Sequence, residues 1–176
     1  MINIGSYESP IGDITIATKE NNIIGLWIEN QKFFLSSITE EMIENNEAES
    51  IKKAKMWLDK YFNKEKPDIK ELPLNPFGTE FQLKVWKILK EIPYGKTITY
   101  KDIADKIAKE RNLKRMSSQA VGGAVGHNPI SIIIPCHRVV GSNGSLTGYA
   151  GGLDIKVKLL MHEDVDMTNL YLPKNK

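Results

Sequence analysis

Ile11, Ile14 and Ile16 stand among polar residues, and a second apolar run fills residues 23–28. The first pattern is that of a half-buried strand, and Lys19, Glu20, Asn21 and Asn22 between the two read as a turn. Together they predict a β-hairpin opening a small α/β unit. The spacing then changes. Ile51, Ala54, Trp57, Leu58, Tyr61 and Phe62 fall on one helical face. Residues 64–78 hold Pro67, Pro73, Pro76 and Gly78 with few apolar side chains, which predicts a linker. The expected division is an N-terminal α/β domain over 1–75 and a C-terminal domain over 76–176, with no internal repeat.

Beyond the linker the pattern is helical. Thr79 to Gln82 fits a capping box, and Phe81, Val85, Trp86, Ile88 and Leu89 follow at helical spacing. Pro93, Tyr94 and Gly95 predict a turn. Thr99 to Asp102 fits a second capping box, opening a helix with Ile103, Ala104 and Ile107 inward. Ser117 or Ser118 caps a third helix that is rich in tiny residues. Two short helices in succession fit a helix-turn-helix, and they also fit any αα pair. Gly122 and Gly123 each cost that helix about 0.5–1 kcal/mol relative to alanine. Their absence of side chains suits close approach, either to a neighbouring helix or to a nucleic-acid backbone.

Composition narrows the function. The chain has 176 residues of ordinary globular composition and one cysteine. That excludes a disulfide framework and a zinc site built on several thiolates, and it fits a reducing compartment. No apolar run reaches the roughly 18–20 residues of a membrane span. Residues 1–5 lack a basic stretch followed by an apolar one, so no secretion leader is expected. The expectation is a cytoplasmic protein with no membrane association. Charge is uneven: residues 1–75 carry 9 lysines and no arginine against 13 acids, whereas the net +2 of the whole chain leaves the remainder at +6. A basic C-terminal part points to an anionic partner, nucleic acid among the candidates.

The chemistry concentrates after Asn128 and Pro129. Ile132 to Ile134 read as a short buried strand, which Pro135 ends. The lone Cys136 follows, then His137 and Arg138. A thiol beside an imidazole and a guanidinium sits where thiolate is favoured, and a supported thiolate is a strong neutral-pH nucleophile. In an extended strand, adjacent residues point to opposite sides. Cys136 and His137 therefore couple directly only if the backbone turns there, or else through a water. A helix over 153–163 ends in Glu163, a candidate to orient His137. Asn143 and Gly144 predict a hairpin turn in a glycine-rich segment that suits the wall of a pocket.

The run Pro135, Cys136, His137, Arg138 and Val139 resembles the active-site motif of the O6-alkylguanine-DNA alkyltransferases. Pro93-Tyr94-Gly95, Thr99-Tyr100, Ala120-Val121-Gly122, Asn128-Pro129, Gly148-Tyr149 and Glu163 stand in that family's order and spacing. The resemblance is close over about residues 79–165. It implies a ribonuclease H-like α/β N-terminal domain and a mainly α C-terminal domain with a winged helix-turn-helix. It also implies a monomer that binds the minor groove of double-stranded DNA containing O6-alkylguanine, flips the damaged base and moves its alkyl group irreversibly onto Cys136, without cofactor or metal. His137 would deprotonate the thiol through a water, Glu163 would orient His137, Tyr100 would assist departure of the guanine, and Asn128 would brace the turn. Tyr100, Lys101, Ser118, Gln119, Gly122, Arg138 and Ser142 would meet DNA. Val139, Tyr149 and Ala150 would wall the alkyl pocket.

Two departures stand out. The family usually carries an arginine where Gln119 stands, and residues 1–80 contain no cysteine or histidine for the zinc site of some members. The competing readings are a non-catalytic alkylated-base-binding protein, whose relatives lack the cysteine, and a thiol hydrolase.

Overall fold

The computed structural model describes residues 1–36 and 38–173. The chain forms two compact units: residues 1–78 with 129–134, and residues 79–128 with those from 135 on. The expected single cut between 75 and 76 thus becomes a boundary at 78/79, with one later segment returning to the first unit.

The first unit is a sheet with one helix against it. Strands β1 (Ile2–Ser9), β2 (Gly12–Lys19) and β3 (Asn22–Ile28) pair antiparallel, and β4 (Met42–Glu44) adds parallel to β1. The order is β3-β2-β1-β4. The β2–β3 hairpin is the one the pattern predicts. Its turn places Glu20 and Asn21 at φ +51° and +63°, the geometry that matches the twist of flanking strands. Strand β1 escapes the pattern because Ile2 and Ile4 are its only aliphatic side chains. Helix α1 (Glu49–Phe62) buries Ile51, Ala54, Trp57, Leu58 and Tyr61.

Two stretches depart from the sequence reading. Residues 64–78 are not a free linker: Trp57 Nε1 donates to the Asp68 carbonyl at 3.1 Å, and Ile23 and Asn75 amides bond to Pro73 and Ile23 carbonyls. The run at 132–134 is buried but is not a strand. Ile130 makes an isolated bridge to Leu26, after which the Ile134 amide bonds back to the Ile130 carbonyl and Ile132 adopts φ +70°. A short apolar run has the same burial in either conformation, so periodicity does not separate them.

The second unit is mainly helical: α2 (Glu80–Leu89), α3 (Tyr100–Glu110), α4 (Ser118–Gly126) and α5 (Leu153–His162). Both expected capping boxes form, at Thr79/Gln82 and Thr99/Asp102, and Ser117 caps α4. Helix α4 packs against α2 and α3, and Trp86 Nε1 donates to its Ala124 carbonyl at 2.8 Å. Strand β5 (Ile98–Thr99) pairs parallel with β6 (Val139–Val140). Because Tyr100 opens α3 directly after β5, this short pairing carries its ring to the segment that follows Cys136. The Asn143-Gly144 turn forms, with Gly144 at φ +89°, yet no two-stranded hairpin does: β6 pairs with β5, and Ser145 bridges to Tyr171.

Thr99 thus sets where α3 begins. Thr99→Ala removes the hydroxyl that accepts from the Asp102 amide at 2.9 Å and should cost about 1 kcal/mol. In thermal denaturation the midpoint should fall by about 2–4 °C; an unchanged midpoint would show that the capping box contributes nothing.

Candidate active site

Residues Cys136–Arg138 form a single 3-10 turn, so the backbone does turn where direct coupling of Cys136 and His137 requires it. All three side chains are buried. His137 is fully enclosed, and its Nε2 lies 2.5 Å from Glu163 Oε2. Glu163 caps the C-terminus of α5. Its other oxygen, Oε1, accepts from Arg138 Nε at 2.7 Å and from the Gly95 amide at 3.2 Å. Burial alone would raise the Glu163 carboxyl, but the hydrogen bonds and charges of His137 and Arg138 outweigh it and hold the group well below the usual carboxylate range. Burial pushes His137 down from its ordinary value, opposed by Glu163 and reinforced by Arg138 and Lys156. His137 therefore rests neutral. Its Nδ1 makes no hydrogen bond among the described residues, which leaves that nitrogen to take a proton.

Cys136 does not rest as the thiolate that its neighbours predict. Burial pushes the thiol up, and the Asn128 hydrogen bond, the field of Lys156 and local backbone donors only partly offset this. A neutral thiol in a desolvated site reacts once its proton has left, so a base is needed. Asn128 is itself buried and touches the reactive atom.

Lys156 is the residue that the sequence reading missed. Fully buried on α5, it donates from Nζ to the Val139 carbonyl at 2.6 Å and the Thr147 carbonyl at 2.9 Å. Burial lowers it to about 8, while Cys136 pulls it the other way. A sequence signal existed: Lys156 shares the helix face of Leu153, Leu159 and Leu160, where a solvated lysine does not belong. The Thr147 carbonyl also accepts from the Tyr100 hydroxyl at 2.9 Å. Burial and the nearby Cys136 push Tyr100 up to about 12, so the hydroxyl keeps its proton. Gly148 follows at φ +73°, and a Cβ there would stand 3.1 Å from the Tyr100 hydroxyl oxygen. Conformation and space both require glycine at that position.

A cavity of about 480 Å³ lies beside these groups, lined by Tyr100, Lys101, Ser118, Gln119, Gly122, Gly141, Ser142, Thr147 and Gly148. Six of the seven residues expected to meet DNA therefore gather around one opening. The seventh, Arg138, does not: it is 8% exposed, with Nη1 on the Ile92 carbonyl at 2.7 Å. The carboxylate and that carbonyl satisfy the guanidinium inside the unit, so the expected DNA contact is corrected to a buried ion pair. Val139 and Tyr149 are buried and Ala150 is half-buried; none of the three lines this cavity. On α4, a Cβ on Gly122 would meet only the Tyr100 ring, at 3.9 Å, and one on Gly123 would meet nothing within 4 Å. Tight packing on a neighbouring helix is therefore not what these glycines serve.

Two family models account for most of the chain: 6-O-methylguanine DNA methyltransferase, ribonuclease-like domain, over residues 2–76, and the DNA binding domain of the same proteins over 80–165. A methylated-DNA–protein-cysteine methyltransferase of Methanosarcina barkeri is 45% identical over 89% of this chain and 94% of its own length. The constitutive one of Bacillus subtilis is 38% identical over 90% and 93%. Among solved structures, the Mycobacterium tuberculosis OGT in complex with DNA superposes with a TM-score of 0.79 at 38% identity, covering 92% of each chain. With both domains matched in order and the Cys136–His137–Glu163 cluster assembled within the second, the chain belongs to the 6-O-methylguanine DNA methyltransferase family.

Proposed function

We propose that this protein repairs DNA by moving the alkyl group of O6-alkylguanine onto its own Cys136, once per molecule. The observation that carries the reading is the buried Cys136 thiol, touched by Asn128 and followed by a histidine whose far nitrogen is tied to Glu163. In the reaction the thiol proton passes toward His137 Nδ1, directly or through a water. The sulfur lone pair forms a bond to the alkyl carbon, the carbon–O6 bond breaks, and its electron pair stays with the guanine. Glu163 stabilises the imidazolium that forms. Tyr100, still protonated, turns its O–H from the Thr147 carbonyl to the leaving base as charge builds there. The product is a thioether and a guanine that takes up a proton. No cofactor enters, because the acceptor is the protein's own sulfur.

The target atom lies in a stacked base, so the base must leave the duplex, at a cost of a few kcal/mol. The cavity beside Tyr100, Gln119 and Gly148 supports this role; Val139, Tyr149 and Ala150, which lie outside its lining, are proposed as walls for the alkyl group. The exposed, small-residue face of α4 supports a winged helix-turn-helix reading of α3 and α4 that enters the minor groove. The antiparallel strands and parallel β1–β4 pair of the first unit support a ribonuclease H-like fold. A lone reduced thiol as acceptor suits the cytoplasm, and a site whose named groups all come from one chain suits a monomer. No described helix is long and apolar enough to cross a membrane.

Duplex oligonucleotide carrying radiolabelled O6-methylguanine tests the reading. One label per protein, stable to denaturation and lost in Cys136→Ala, is the expected outcome, with DNA binding retained by the variant. Binding without transfer would select the base-binding alternative, and multiple turnovers of an ester or amide would select the hydrolase.

Lys156 supplies the positive field that acts on the thiol. Lys156→Met should slow alkylation of Cys136 by iodoacetamide about tenfold at pH 7, where Lys156 still carries its charge; an unchanged rate at that pH would remove Lys156 from the electrostatics of the site.

Gln119 is shorter than arginine and uncharged. It can hydrogen-bond an orphaned base but supplies no charge to the gap in the stack. Gln119→Arg should accelerate transfer from duplex more than from single strands and steepen the salt dependence of duplex binding by about one counterion. If Arg115, exposed ahead of α4, already fills this role, Arg115→Ala will be the more damaging change. Equal effects of a substitution on both substrates, in single-turnover rates, would exclude that residue from the gap.

A further inference from the structure

Arg138 is the one charged side chain of the reactive turn that the transfer step above does not use. It is nonetheless the most heavily tied. Nε binds Glu163 Oε1, Nη1 binds the Ile92 carbonyl, and the guanidinium lies 5.7 Å from the centre of the Tyr94 ring. The turn after α2 closes the arrangement from the other side. The Gly95 amide donates to the same carboxylate oxygen, and the Tyr94 hydroxyl donates to the His162 carbonyl at 3.4 Å. Gly95 sits at φ +77°, where a Cβ would stand 3.1 Å from the Glu163 carbonyl oxygen. The motif Pro93-Tyr94-Gly95 thus has a physical reason: a residue with a side chain at the third position would push the turn away from Glu163.

With His137 neutral, the buried set His137, Glu163 and Arg138 sums to zero. A proton added to His137 makes it +1, close to Lys156, in a site that excludes water. Without the guanidinium the resting pair would carry −1, and a proton from solvent would bring it to zero. An uncompensated buried charge is the costlier state, so the pair would then hold that proton at higher pH. The other groups around the pair are Cys136 from the preceding position, Lys156 from α5, Tyr94 from the turn after α2, and Asp164 just past the end of α5.

We propose that Arg138 is a positioning residue that acts through Glu163: it fixes the carboxylate against His137 and keeps His137 unprotonated in the resting protein, so that the thiol has a base to react with at neutral and mildly acidic pH. The inference rests on the alkyl-transfer reading and goes beyond it in assigning Arg138 to the base rather than to DNA.

The test is the acid limb of the single-turnover transfer rate, compared in wild type, Arg138→Gln and Arg138→Lys. Glutamine keeps an N–H donor and loses the charge; lysine keeps the charge and loses the fork. The acid limb of Arg138→Gln should move up by at least one pH unit, a tenfold loss of rate at a pH where wild type is still on its plateau. Arg138→Lys should stay near wild type. Affinity for undamaged duplex, and its salt dependence, should be unchanged in both. An unmoved limb in Arg138→Gln, or a parallel loss of DNA affinity, would overturn the proposal. Should neither variant fold, NMR titration of the His137 ring in the wild-type protein keeps the proposal open to refutation: the ring is expected neutral at pH 7, and a ring protonated there overturns it. That titration needs no transfer, so a wild type that takes up no label would fail the functional reading separately.

Discussion

A carboxylate taken out of water persists only when its oxygens meet donors and its charge meets a cation. Glu163 is 2% exposed, and three pieces of the second unit must converge to satisfy it. The 3-10 turn brings His137 and Arg138, the turn after α2 brings the Gly95 amide, and the end of α5 brings the carboxylate itself. Each piece is short and would be weakly determined alone. The shared demand of one buried charge makes their mutual placement cooperative, because withdrawing any partner leaves the others with unmatched polar groups. The same convergence holds the His137 ring with one nitrogen occupied and the other available.

Cys136 lives under the opposite constraint. Its enclosure disfavours thiolate, so the thiol is quiet until a proton can leave. That suits an acceptor whose modification is irreversible, since an exposed thiolate would be consumed by any soft electrophile. Reactivity is instead set up by the surroundings. Lys156 and Tyr100 meet at the Thr147 carbonyl, and Lys156 also binds the Val139 carbonyl. One buried lysine therefore ties the strand after the nucleophile to the loop that lines the cavity, while its charge offsets part of the cost of ionising the sulfur.

Local signals in the sequence were legible where a few neighbouring residues decide the outcome. The capping boxes at Thr79 and Thr99, the β2–β3 hairpin and α1 follow from spacing and cap chemistry alone. Cys136, His137 and Glu163 were legible as a motif, and the geometry supplies their contacts. What the sequence concealed depends on distant partners. Residues 132–134 look like a strand, but a bridge from Ile130 to Leu26 and a local turn set their path. Arg138 looks like a DNA contact, because nothing local reveals that a carboxylate twenty-five positions on will claim it. Lys156 hides among surface lysines until its helix phase is read. The thiolate expected from adjacent charges fails for a related reason: adjacency says nothing about burial, and burial dominates here.

Helix α4 carries Gly122 and Gly123 in its interior. Interior glycines lower helix stability by about 0.5–1 kcal/mol each, and natural sequences offset such costs by packing or by function. Packing is absent for Gly123 and no more than ordinary contact for Gly122. The helix is held instead from its buried side, where Val121, Ala124 and Val125 are enclosed and Trp86 binds the Ala124 carbonyl. Its outer side, from Ser118 through Gln119 and Ala120 to Gly123, presents exposed short or flexible residues beside the cavity. A backbone kept bare at a cost that no intramolecular contact repays is shaped for something outside the chain. The proposed minor-groove docking has the corresponding requirement, because that groove is narrow and its walls are phosphates. Backbone atoms can approach such a surface closely only where side chains do not intervene.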